Sequence, residues 1–249
     1  MLPSPADKLL LSLADNGLVM NHRLCEWCTK APSLELEMGL ANIGLDHLGQ
    51  ARLWLESVAP NLNTSEDELA YFRDENNYYN LLLVEQQNGD FAFTIAKLFL
   101  YDYFHLHLLE KLSTVADKTI AAVAEKSLLE VRYHVKFSTH WMNVMVGGTN
   151  ESVARMRDAI EFLWQFCGEF FTFTDYEQTM YNKFNLPAAQ LKERWLADIL
   201  PPLAALELPL DTTLPFYQPS GKNNNHSEQL GFLLAEMQVL ARKHPGETW

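Results

Sequence analysis

The chain has 249 residues, 48% of them apolar, 20% charged and 12% aromatic. That globular composition excludes a disordered or fibrous chain. Nineteen Lys and Arg against 32 Asp and Glu give a formal charge of -13, which argues against non-specific binding to nucleic acid or anionic membrane. Apolar runs such as Leu81–Val84 fall far short of the roughly 20 residues of a membrane span. Near the start, Leu9–Leu11 is cut off by Ser12 and Asp15 before it could form a signal-peptide core. Three cysteines, Cys25, Cys28 and Cys167, make no disulfide framework. The expectation is a cytoplasmic protein, one domain over residues 1–249, with no nucleic-acid or membrane partner.

None of the eleven prolines falls between Pro60 and Pro187, so the middle of the chain is free to form long helices. Apolar residues recur at steps of three and four, the mark of amphipathic helices. Leu10, Leu13, Gly17, Met20, Leu24 and Trp27 predict the first helix. Leu34, Met38, Ala41, Leu45 and Leu48 form the next stripe, after Pro32-Ser33 with Ser33 as N-cap. A third helix is expected near Ser65–Glu85, stopped by Asn88-Gly89. Phe91, Ile95, Leu98, Asp102, His105, Leu109 and Leu112 continue the pattern with two polar members. A helix starting near Asp117 carries Ala121, Ala124, Leu128, Val131, Val135, Ser138, Met142 and Met145, and Gly147-Gly148 ends it. Val153, Met156, Ile160, Leu163, Cys167 and Phe170 begin another. Shorter helices are expected at Ala188–Leu200 and Ser227–Lys243, with an extended connection over about 201–226, proline-rich up to Pro219 and followed by a polar turn at Gly221–Asn225. With no convincing period-two alternation, the fold class is all-α: an antiparallel bundle of long helices followed by shorter C-terminal ones.

Asp102 and His105 lie on a core-facing stripe, where either one unpartnered would cost several kcal/mol. They read as a hydrogen-bonded pair or as part of a metal site. Bundles that hold two metal ions take a Glu from each of two helices and a Glu-x-x-His from each of the other two. Here Glu130 and His134 are four apart, with Tyr133 at the plus-three position. Asn42, Asp46 and Gly49 form a line on the second helix, with Gly49 where a ligand would be needed and His47 about 100° around. Asp46, Asp102 and Glu130 are in register, His105 or His134 could add to them, and a bridged pair of metals needs roughly six ligands. The metal set is therefore read as vestigial, with Asp46, Gly49, Asp102, Glu130 and Tyr133 its positions.

Cys25-x-x-Cys28 has the spacing of a redox or zinc pair, yet it falls within the first predicted helix and no second pair exists, so small core residues are expected. Phe162, Trp164, Phe166, Phe170, Phe171, Phe173, Tyr176 and Tyr181 predict one long helix buried on several sides, by a wide core or by a subunit interface.

The stretches Glu26-Trp27-Cys28, Ala41–Asp46, Gly49-Gln50-Ala51-Arg52, Arg73-Asp74-Glu75, Asn80–Gln86, Arg132-Tyr133-His134, Glu236-Met237-Gln238, Pro245-Gly246 and Trp249 resemble the C-subunit family of the bacterial phenylacetyl-CoA epoxidases, also called ring 1,2-phenylacetyl-CoA monooxygenases. The similarity runs over essentially the whole chain. It implies a ferritin-like helical fold and a structural, non-catalytic place in a heteromeric monooxygenase complex of aerobic phenylacetate degradation. In that family a sister polypeptide, the catalytic one, carries the di-iron centre and epoxidises the ring of the CoA thioester, with electrons from NADPH through a flavin and iron–sulfur reductase. The resemblance implies partners, namely the di-iron catalytic polypeptide and the other epoxidase subunits including the reductase, and no cofactor in this chain. It also implies acyl-CoA contacts at Asn77, Tyr78, Tyr79 and Asn80 and at Glu177, Gln178 and Thr179, whose side chains can hydrogen-bond a thioester or pantetheine. A chain built to pair should expose an apolar patch when alone. The residues leave two other readings: a di-iron oxidase or oxygenase using Asp46, Asp102, His105, Glu130 and His134, or a helical adaptor unrelated to oxygen chemistry.

Overall fold

The computed structural model describes residues 2–247; Trp249 of the family resemblance lies outside them. The chain is all-α and divides into two compact units. One comprises the residues up to Gln87, Thr174–Met180 and those from Pro219 on; the other comprises Asn88–Phe173 and Tyr181–Gln218. Among the described residues no helix is long and apolar enough to cross a membrane.

The first unit is built on α1 (Pro5–Cys25) and α2 (Leu34–Leu62). Ser4 and Asp7 cap α1 reciprocally, and Ser33 caps α2 as the sequence predicts. The two run antiparallel: Asn61 donates to Asp7 at 2.8 Å near one end, and Gly44 meets Asn21 near the other. A Cβ on Gly17 would sit 2.8 Å from the His47 carbonyl, so this glycine permits a close crossing. That crossing decides which face of α2 turns inward. Leu36, Leu40, Ile43, His47, Gln50, Trp54 and Val58 are buried, whereas Leu34, Met38 and Leu45 of the expected stripe are 68%, 58% and 62% exposed. The expected stripe is a real helical line, but it is the outer one.

The expected helix over Ser65–Glu85 is broken into α3 (Glu66–Tyr71), a 3₁₀ turn (Glu75–Asn77), an extended stretch and α4 (Leu82–Glu85). The cause is tertiary. The Tyr79 amide donates to Asp15 at 2.9 Å and the Leu81 amide to Asn16 at 2.8 Å, so two side chains of α1 take the donors that a helix would have used.

In the second unit, α5 (Phe91–Leu112) and α6 (Lys118–Val146) pair, joined by residues 113–117 and with Asp117 capping α6. α7 (Asn150–Cys167) packs on α5 and ends in a 3₁₀ turn, Gly168–Phe171. The single aromatic helix expected here is therefore two. A Cβ on Gly168 would lie 2.7 Å from the Leu214 carbonyl, and α8 (Asp175–Phe184) restarts behind a reciprocal Thr174 and Glu177 cap. The aromatic residues are mostly internal: Phe170 stacks on Phe104 at 4.6 Å and meets Trp195 edge-on at 5.6 Å, whereas Phe162 is exposed. α9 (Ala188–Leu203) runs through Pro201-Pro202 in its last turn, which shortens the expected extended connection. The C-terminal helix is interrupted at Gln238, giving α10 (Glu228–Met237) and α11 (Val239–Lys243). At that break the Gln238 side chain donates to the Arg73 carbonyl and the Tyr78 hydroxyl, at 2.9 and 3.0 Å.

The first helix also ends earlier than expected. Cys28 lies beyond α1, and both Cys25 and Cys28 are exposed, so the expectation of small core residues is overturned.

Candidate functional site

In the second unit, α5 and α6 bring Asp102, His105, His134 and Ser138 to buried positions. All four lie where the three-four spacing turns residues inward, among Ile95, Leu98, Val131 and Met142. Burial pushes the Asp102 carboxyl up to about 7, against the opposing pull of the His134 imidazole and the Ser138 hydroxyl. Burial, reinforced by His134, pushes His105 down to about 3. The expected Asp102–His105 couple is thus a low-dielectric cluster in which Asp102 answers to His134.

The other expected ligand positions lie elsewhere. On α2, Asn42 and Gly49 are exposed and Asp46 is half-buried, while His47 points inward. On α6, Glu130 is half-buried, Tyr133 is 49% exposed, and His134 points inward. On both helices the inward register sits one residue after the expected line, at the histidine. The signal that would have found it is the buried stripe itself, since Ile43, His47, Gln50 and Trp54 also repeat at three and four.

A bridged di-iron pair is held largely by carboxylates, at least one from each of several helices. On α5 and α6 the one fully buried carboxylate is Asp102. The buried carboxylates of α1 are committed within the first unit: Asp7 to Ser4 and Asn61, and Asp15 to Arg73 and Tyr79. This donor set does not fit the two-metal centre.

The first unit contains a dense polar cluster. Asp15 receives the Arg73 guanidinium, which lies 4.2 Å over the Tyr78 ring. Glu85 accepts from the Ser227 amide at 2.7 Å, from Asn80 at 3.0 Å and from His226 Nδ1 at 2.9 Å. The other His226 nitrogen faces the Tyr78 carbonyl at 2.9 Å, so both ring nitrogens meet acceptors and the imidazolium form fits. Burial alone would lower the His226 pKa, but the hydrogen bond and charge of Glu85 outweigh it and raise it. A Cβ on Gly221 would run into the Asn80 carbonyl and the His226 ring.

Both stretches expected to meet acyl-CoA lie in this unit, and the structure brings them together: the Tyr79 and Tyr176 rings meet edge-on at 6.1 Å. Most of their side chains are already engaged. Tyr78 is buried with its hydroxyl on the Ala70 carbonyl, Asn80 is held by Glu85, and Glu177 forms a buried ion pair with Lys222 at 2.9 Å. Asn77, Gln178 and Thr179 are exposed. Asp74, Glu75, Asn76 and Asn224 line a shallow recess next to Asn77, and Asp74 is paired there with Arg242 at 3.0 Å.

Residues 4–249 match the model of the phenylacetic acid catabolic protein family. The chain belongs to that family, an all-α class in which the fold above has its place. Within it, the chain is 41% identical over 243 residues to the C subunit of the 1,2-phenylacetyl-CoA epoxidase of Escherichia coli strain K12, covering 96% of this chain and 97% of that relative.

Proposed function

We propose that this protein is the structural C subunit of a cytoplasmic phenylacetyl-CoA 1,2-epoxidase complex, supporting a di-iron catalytic partner in aerobic phenylacetate catabolism. The carrying observation is the nearly full-length 41% identity to the corresponding polypeptide of the E. coli enzyme. Two features of the chain support it. Gly49 and Tyr133 are exposed and the carboxylates of α1 are held by other partners, which leaves too few donors for a di-iron centre. The outer stripe of Leu34, Met38 and Leu45 is the kind of apolar line that a pairing subunit presents. On this reading the di-iron, NADPH, flavin and iron–sulfur groups belong to partner subunits. Contact with the substrate falls to Asn77, Gln178 and Thr179 and reaches the neutral acyl and pantetheine portion.

Anaerobic Fe(II) loading of the purified chain, followed by metal analysis, tests the assignment. Sub-stoichiometric iron, no oxygenase activity alone and a stable complex on co-expression with the catalytic partner are expected. About two irons per chain, or no complex, would overturn it.

A further inference from the structure

Cys25 is the last residue of α1 and Cys28 sits in the turn that follows, both with free, exposed thiols. The Cys28 amide donates to the Cys25 carbonyl at 3.1 Å. A turn closed in this way keeps its first and fourth α-carbons within about 7 Å, overlapping the roughly 4.4–6.8 Å that a disulfide requires. The turn is well tied: the Lys30 and Ala31 amides donate to the Trp27 carbonyl at 2.9 and 3.1 Å, and Thr29 takes a left-handed φ of 69°. Burial first, then Cys28 and Glu26, pushes the Cys25 thiol up, and its sulfur lies 3.6 Å from Asn21 Oδ1. The third cysteine, Cys167, is fully buried, and burial pushes its thiol up too, so it stands outside this chemistry.

We propose that Cys25 and Cys28 form a thiol–disulfide pair that exchanges with low-molecular-weight disulfides such as glutathione disulfide. The Cys28 thiolate attacks one sulfur of glutathione disulfide; that S–S bond breaks and one glutathione leaves as thiolate, then takes up a proton. Cys25 gives its proton to water and attacks the Cys28 sulfur, expelling the second glutathione. Two protein thiols are oxidised to one disulfide, and one glutathione disulfide is reduced to two glutathiones. The division of labour follows from the turn. Cys28 stands beyond the helix and opens the reaction, while Cys25, on the last turn of α1 with its sulfur on Asn21, resolves the mixed disulfide. Two sulfurs alone are half of the four ligands of a closed zinc site, which sets redox exchange above metal binding here.

The full-length protein incubated with glutathione disulfide across a pH series, with intact-mass and peptide mapping, tests this. The expected product has lost two hydrogen atoms, retains no glutathione and carries a Cys25–Cys28 link, and it forms faster as pH rises. Cys25→Ser should trap one glutathione on Cys28, and Cys28→Ser should slow adduct formation several-fold. Both variants should keep the wild-type helical circular-dichroism signal, because both side chains are at the surface. A wild-type product carrying glutathione on each cysteine would overturn the proposal. So would a protein that stays reduced while iodoacetamide labels both thiols.

Discussion

Two buried polar clusters, one in each unit, are built in opposite ways. In the first, Asp15 meets Arg73 and an amide, and Glu85 meets His226, Asn80 and an amide, so each charge is answered by an opposite charge and by hydrogen bonds. In the second, burial brings Asp102 up to about 7 and His105 down to about 3, with His134 acting on both. The first arrangement spends its polar groups on fixing the path of the backbone. The second keeps a carboxyl and an imidazole near neutrality on two long helices. A buried polar residue in this chain is therefore no pointer to a metal by itself; what its neighbours ask of it decides.

The largest test of that contrast is Arg73→Ala. It leaves Asp15 buried without its cation and should cost about 3–5 kcal/mol in urea unfolding. A loss under about 1 kcal/mol would mean that the first unit does not depend on this pair.

The second test reads stability against pH. Between about 4 and 7 folded Asp102 holds a proton that the unfolded chain has lost, so its contribution falls as pH rises. Between about 3 and 6.5 the unfolded His105 is protonated and the folded one is not, so its contribution rises with pH. In the wild type the two slopes oppose each other. Asp102→Asn should uncover a rise on the order of 2–3 kcal/mol from pH 4 to 6.5, and His105→Gln a fall of similar size. Identical profiles in both variants would show that the two groups are not shifted as described.

The smallest effect belongs to His226→Gln. The raised pKa makes the contribution of this imidazolium complete below about 6.5 and lost as pH climbs through the native value. The variant should be about 1–2 kcal/mol less stable at pH 6 and converge on the wild type in alkali. Hydrogen exchange of residues 219–227 should report the same convergence. A deficit that stays constant with pH would assign His226 a packing role instead.

The long helices were legible because each carries its period, its cap and its stop within itself: Ser33 for α2, Asp117 for α6, and Gly147-Gly148 at the end of α6. The breaks at 72–81 and 168–174 were not, because they are imposed from outside the segment, by Asp15 and Asn16 in one case and by the Leu214 carbonyl against Gly168 in the other. A local signal for the second restart did exist in the Thr174 and Glu177 capping pair, whereas α4 starts behind Leu81 with no side-chain cap. At the polar cluster, residue types were readable but orientation was not. α2 carries two apolar lines, and only the close passage at Gly17 selects the one that faces inward. The same ambiguity hid the surface position of Cys25 and Cys28, since nothing local says that α1 stops at Cys25.

The stretch from Arg73 to Leu81 takes its shape from an early helix and a late loop: Asp15 and Asn16 template it, and Gly221 to His226 latch it from the other side. During synthesis the template emerges well before the segment it shapes, whereas the latch comes more than a hundred residues later. A nascent chain halted before Pro219 would leave the Glu85 carboxylate without His226 and the Ser227 amide, so this stretch is fastened only once the last loop has been made.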